Sequence, residues 1–414
     1  MAPNLIGVFG VFAILAIAVA FSSNRSAIQF RVVGAALALQ ALLAALVLYF
    51  PWGRVAINRL SDGVLAVIGF SKAGIDMVFG PLADTDIVGF SFAINVLPII
   101  IFFAALMSVL YHLGIMQWLV KIIGGLLHRF IGTGSVESMN AAANIFVGQT
   151  EAPLAVKPYL RALSEPQFFT VMVSGVGSVS GSVFAGYAML GADIEYLLAA
   201  AFMAAPGGLL MAKIIMPDDE KILTNRPENL QMESSGHGNI FIAAGAGATD
   251  GLRMAVNIAA MLIAFVALIA LFNGLVGSVS SLIGLNTLLG VEAVTLELIL
   301  GKVFQPLMFL LSVPWEEAQA AGVLFGEKLI LNEFVAFTHF SDVLAGMSPR
   351  TLAVTTVSLC GFANFSSIAV LLGGLGVLVP EKRELIGRFG LRAVLAGSLS
   401  NLMSAALTGI MLIS

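Results

Sequence analysis

Eight times along this chain an apolar run recurs that is long enough to cross a hydrocarbon core of about 30 Å. That recurrence leaves few architectures open. The runs cover residues 5–21, 32–50, 92–110, 168–190, 196–211, 254–272, 352–378 and 389–411. In hydrocarbon every backbone N–H and C=O must be satisfied within the protein, so such segments are helices. Composition agrees, with 59% of residues hydrophobic and 11% charged, against about 25% charged in soluble chains. A water-exposed surface cannot be built from 20 Lys+Arg and 24 Asp+Glu in 414 residues. The chain reads as an all-α polytopic membrane protein with eight transmembrane helices.

Several classes of chemistry fall away at once. The single cysteine, Cys360, excludes a disulfide scaffold and a thiolate-rich metal site. His112, His128, His237 and His339 lack metal-ligand spacing, and no GxxxxGK[ST] loop is present for ATP. A net charge of −4 offers no basic face to nucleic acid. The first run has its positive charges, Arg25 and Arg31, after the apolar stretch rather than before it, so it reads as a retained span and not a signal peptide. With the N-terminus outside, fourteen of the 20 basic residues fall in interior segments. The positive-inside rule therefore favours both termini outside.

Three stretches are not simple spans. Residues 54–79 mix Arg, Asp and Gly with apolar residues, the pattern of an interfacial amphipathic helix. Residues 134–160 and 314–340 interrupt apolar sequence with amides and acids and read as re-entrant helical hairpins, tolerated at membrane depth only where protein or a polar cavity surrounds them. Each follows a similar apolar run, 94–114 or 256–274, then a semi-apolar segment, and each precedes a Gly/Ser-rich span. This repeated order, with hairpins entering from opposite faces, is the inverted-repeat pattern of secondary transporters. The expected organisation is an N-terminal scaffold at 1–91, a first repeat at 92–215, a cytoplasmic linker at 216–249 and a second repeat at 250–414.

The residues able to carry chemistry lie on these interruptions. The first hairpin holds NIFVGQTEAP, with Asn144, Gln149, Thr150 and Glu151, and the second holds GEKLILNEFVAF, with Lys328, Asn332 and Glu333. A carboxylate in apolar surroundings is costly unless it is paired or functional. A solvated hairpin turn is the plain reading of the first tip, a solute-contacting tip the sharper one. Lys328 is expected near Glu327 as a local charge partner. In CGFANFSSI, Asn364 and Ser367 are three apart and would share a helix face. Such polar residues tie helices together as readily as they bind ligand. The SGVGSVSGSV cluster, with Ser178, fits close helix packing or unwound backbone that coordinates a cation. His237 and the Gly-rich stretch GHGNIFIAAGAGATDG at 236–251 read as a flexible lead-in to the sixth span. Carboxylates, amides and serines together suit a neutral, polyhydroxylated solute with a planar part. No Lys or Arg is expected at the midplane, which counts against nucleotides and dicarboxylates.

GQTEAP, NEFVAF and CGFANFSSI, in this order and with AAPGGLLMAK between them, resemble the signatures of the concentrative nucleoside transporter family in its bacterial eight-span form. The resemblance runs over nearly the whole chain. It implies sodium–nucleoside symport by alternating access, with uridine, cytidine or adenosine as solute, no covalent chemistry and no organic cofactor. It also implies a homotrimer in the lipid bilayer, with one site per protomer. By that resemblance Gln149, Thr150, Glu151 and Val183 face the nucleobase. Glu333, Asn364 and Ser367 hold the ribose, and Phe362 lines the pocket. Sodium is taken by Asn144, Ser178 and the carbonyls of Val147 and Val179. Some members of the family couple to protons instead, and a titrating Glu151 or Glu333 would then serve.

Overall fold

The computed structural model describes residues 3–218 and 238–412, and every regular element among them is helical. Most of the expected linker at 216–249, with His237, lies outside the described residues. Three helices come first, α1 (Pro3–Ala20), α2 (Phe30–Leu48) and α3 (Pro51–Phe79). A first set follows: α4 (Leu97–His112), α5 (Ile115–Ile131), α6 (Ser135–Ala143), a 3-10 helix (Ala152–Ala162), α7 (Glu165–Val176), α8 (Gly181–Met189) and α9 (Ile194–Ile215). The second set is α10 (Ile240–Leu282), α11 (Leu296–Leu310), α12 (Trp315–Ile330), α13 (Glu333–Val343), α14 (Pro349–Leu359), α15 (Ser367–Gly373) and α16 (Arg383–Met411).

The two sets repeat one order and pack as counterparts. Long α4 lies along α10, and buried α9 along buried α16. Amphipathic α5 backs α6 as α11 backs α12. Small residues explain the close approaches, since in an apolar solvent helices associate through backbone contact and polar ties. A Cβ at Gly251 of α10 would lie 2.7 Å from the Ile101 Cα of α4. At the centre a Cβ at Gly397 of α16 would lie 3.1 Å from the Gly177 amide nitrogen. Gln40 of α2 donates to Ser404 of α16 at 2.9 Å, within this core.

Local chemistry sets the ends. Glycines at φ +78° and +87°, Gly114 and Gly132, bracket α5 in the left-handed conformation that only glycine adopts freely. Between them, Met116, Val120, Gly124, Leu127 and Ile131 recur at helical spacing and are buried, while Trp118, Ile122, Leu126 and Phe130 are exposed. This strongly two-faced helix was legible only as a semi-apolar segment. Ser164 and Gln167 cap α7 reciprocally.

Among the described residues six helices are long and apolar enough to cross a membrane, or seven if the α11–α12 pair, bent by 118°, is one span; the segment 51–88, which holds α3 and was expected at the interface, is one of the six by length and composition. The remaining apolar runs fall in shorter or interrupted helices. The run at 168–190 breaks at 177–180 between α7 and α8, and that at 352–378 breaks at 360–366 between α14 and α15. The described part of the lead-in to the sixth span is helical rather than irregular: α10 starts at Ile240 with the Asn239 side chain accepting from the Ile242 amide at 2.9 Å. Gly247 and Gly251 there serve to seat α10 against α4.

Candidate functional site

Four interruptions of helix meet at the centre of the fold, one from each tip and one from each broken span. After α6 the chain turns through 144–151. There the Asn144 Nδ2 donates to the Asn140 carbonyl at 2.9 Å, and the Gly148 amide donates to Glu151 Oε2 at 2.6 Å. The break after α7 is tied to this tip, because the Gly181 amide donates to the Phe146 carbonyl at 3.1 Å. The tip between α12 and α13 is sharper. Asn332 is fully extended and its side chain accepts from the Val335 amide at 3.0 Å, which starts a new helix at Glu333. The break after α14 joins both neighbours. The Phe362 amide donates to the Ser178 carbonyl at 3.0 Å, and the Phe365 amide to the Leu329 carbonyl at 3.2 Å.

Glu333 is the best-held group of the set. It is buried at the N-terminus of α13, where the helix dipole favours a negative charge. Tyr187 donates its hydroxyl to Oε1 at 3.1 Å, and Asn364 donates its amide to Oε2 at 3.2 Å. Asn364 and Ser367 do not share a helix face as expected. Asn364 precedes α15, and its Oδ1 accepts from the Ser367 amide at 3.0 Å and the Ser366 hydroxyl at 2.6 Å. The Ser367 hydroxyl donates back to the Phe362 carbonyl, so this break is a self-supporting turn. Gln149 is buried and reaches Ser367 Oγ at 3.5 Å, the outer limit of a hydrogen bond, with its Oε1 unpartnered. Thr150 packs on Gly374, where a Cβ would lie 2.6 Å from its methyl. Val183 is buried one turn before Tyr187 and Phe362 is half-buried. Glu151 turns back on Gly148 rather than toward Glu333.

The four expected sodium ligands lie on the first tip and the first break. Asn144 and Ser178 are buried, as are Val147 and Val179. Asn144 Oδ1 has no partner within the protein. A buried, unsatisfied acceptor costs about 1–3 kcal/mol, so a hard cation fits this donor set of amide, hydroxyl and carbonyl oxygens.

Three features were missed in the sequence. Tyr187 carries no local signal, standing alone in an apolar run. Asn401 of α16 donates to the carbonyls of Gly177 and Cys360 at 2.7 and 2.8 Å, holding both breaks with one amide. Lys328 does not pair with Glu327. Successive helix residues point about 100° apart, and Glu327 bonds His339 at 3.0 Å instead. Lys328 is wholly buried, donating to the Ser358 carbonyl and to Asn401 Oδ1 at 2.9 and 2.7 Å. The expectation of no cation inside is therefore corrected, although this ammonium is spent on protein acceptors.

Three adjoining family descriptions match the chain: "Na+ dependent nucleoside transporter N-terminus" at residues 9–82, "Nucleoside recognition" (Gate) at 93–193 and "Na+ dependent nucleoside transporter C-terminus" at 196–409. The uncharacterized transporter YutK of Bacillus subtilis is 49% identical over 405 residues, 97% of this chain and 98% of that protein. The nucleoside permease NupC of Helicobacter pylori is 46% identical over 417 residues, covering 98% and 97%. Among solved structures, CNTnw in an inward-facing, substrate-bound state superposes with a TM-score of 0.91 at 45% identity over 98% of both chains. A double variant of CNTnw in an outward-facing state gives 0.93 over 99% of this chain and 98% of the other.

Proposed function

The chain belongs to the sodium-dependent, concentrative nucleoside transporter family, and from that premise we propose a sodium–nucleoside symport cycle built on the convergent helix breaks. It is a membrane transporter and not an enzyme. The observation that carries the site is Glu333: a buried carboxylate oriented by Tyr187 and Asn364, with acceptor capacity left over for the vicinal hydroxyls of a ribose. Gln149 and Thr150 on the first tip, with Val183 behind them, receive the base. Phe362 closes the pocket, and Ser367 joins the two halves. Glu151 releases Gly148 to meet the base when the tip is ordered.

Sodium binds Asn144, Ser178 and the carbonyls of Val147 and Val179, so it orders the first tip and its neighbouring break together. Coupling follows because ion and solute each favour the same arrangement of that tip. The loaded unit around α9 and α16 then moves against the α4–α10 scaffold, as an elevator does. The solutes are uridine, cytidine and adenosine, and the working form is a homotrimer. Both termini face the periplasm, and α3 and α5 lie along the membrane interface. The two-faced burial of α5 supports that placement.

Uridine uptake into proteoliposomes tests the reading. Glu333→Ala and Glu151→Ala are expected to reduce uptake at least tenfold under a sodium gradient at symmetric pH. Unchanged uptake in both would remove the two-tip site. Uptake driven by a pH gradient without sodium would replace the coupling ion with a proton.

A further inference from the structure

Where two helices end beside one another, their last carbonyls leave partial negative charge that favours a cation. This fold makes that arrangement twice. In the first set α6 ends at the first tip and α7 at the break bonded to it, and neither has a basic residue in its last turn. Acceptors there stand open: Asn144 Oδ1, Asn140 Oδ1 and Ser174 Oγ are buried without partners. In the second set α12 and α14 end beside one another, and the last turn of α12 carries Lys328. Its ammonium bonds the Ser358 carbonyl in the last turn of α14 and Asn401 Oδ1. Asn401 in turn holds the end carbonyls at Gly177 and Cys360.

We propose that the Lys328 ammonium is the resident cation of the second repeat, standing where the exchangeable sodium ion stands in the first. The proposal rests on the sodium site assigned above. It divides the labour between the tips. A tethered ammonium cannot dissociate, so the α12–α14 end and Glu333, five residues on from Lys328 across the second tip, stay assembled throughout the cycle. A free ion can leave, so only the α6–α7 end answers to sodium. Lys328 is thus a positioning residue that acts through Asn401 and Ser358, not a solute ligand.

The test is chemical rescue. Lys328→Ala is expected to lower sodium-driven uridine uptake at least tenfold, and millimolar methylammonium to restore it several-fold. Tetramethylammonium, which cannot donate, restores nothing. Methylammonium also raises the melting temperature of purified Lys328→Ala and not that of wild type, a readout that an amine acting on transport in general would not give. Lys328→Met keeps the volume without the charge and is expected to stay impaired under both amines. It serves as well if the alanine variant does not fold. Wild-type uptake by Lys328→Met would overturn the proposal, as would a folded, inactive Lys328→Ala that methylammonium neither rescues nor stabilises. Asn144→Ala, run in parallel, separates the premise. If it keeps normal sodium dependence, the sodium site is wrong, whereas the amine response still reports on Lys328.

Discussion

Tyr187→Phe removes one oxygen atom and tests how the solute site is organised. The ring stays: it stacks on Phe337 with centroids 4.3 Å apart and leans on Phe334 at 4.8 Å, contacts that phenylalanine keeps. What is lost is the 3.1 Å bond to Glu333 Oε1. A hydrogen bond to a charged group contributes about 1.5–3 kcal/mol. Glu333 retains Asn364 and the α13 N-terminus, so the lower end applies. About 1.5 kcal/mol corresponds to roughly a tenfold loss of apparent affinity. The loss should depend on the solute. Uridine, whose hydroxyls need an oriented carboxylate, is expected to weaken about tenfold. With 2′,3′-dideoxyuridine the acceptor goes unused, and the change should stay within about twofold. The assay is competition of each solute against labelled uridine uptake in proteoliposomes, with the melting temperature as a control for folding. Equal losses for both solutes, or none for uridine, would refute the assignment of Glu333 to the ribose.

Further outcomes follow from other groups. Asn144→Ala loses the Nδ2 bond to the Asn140 carbonyl but no partner of Oδ1, so stability should fall by only about 1 kcal/mol, while the sodium activation of uptake shifts at least tenfold upward. Lys213 is buried between Glu137 and Asp218, bonding both. Lys213→Met leaves two buried carboxylates without their cation and should cost about 3–5 kcal/mol, seen as a large fall in melting temperature that Glu137→Gln partly reverses. Gly251→Ala puts a methyl against the Ile101 backbone, and overpacking of this kind costs about 1–3 kcal/mol. The packing of α4 on α10 should loosen, with a lower melting temperature, while solute affinity stays near wild type.

Much of the candidate site stands out because its chemistry is expensive. Glu151 and Glu333 are conspicuous in sequence since a carboxylate amid apolar residues demands a reason. The Gly/Ser cluster around Ser178 left packing and unwinding as open readings, and both are found: Gly177 approaches Gly397 while 178–180 is non-helical. Lys328 points away from Glu327 because adjacency in sequence is not adjacency on a helix. Asn364 and Ser367 share no helix face because a break falls between them and helical spacing ends there.

Scarcity of charge and recurrence of apolar runs, both one-dimensional properties, determined that this chain is helical, membrane-embedded and built on a repeated order of elements. They also marked which few polar residues require a partner or a role, since apolar surroundings penalise every unpaired polar group. Only the tertiary structure decided which of those residues meet. Asn401 lies more than two hundred residues from Gly177, and Tyr187 far from Glu333 along the chain, so no local pattern encodes either pair. The pairs exist because α9 and α16 are smooth enough to let the two broken spans approach, and the freed backbone groups then find whichever side chain the packing delivers.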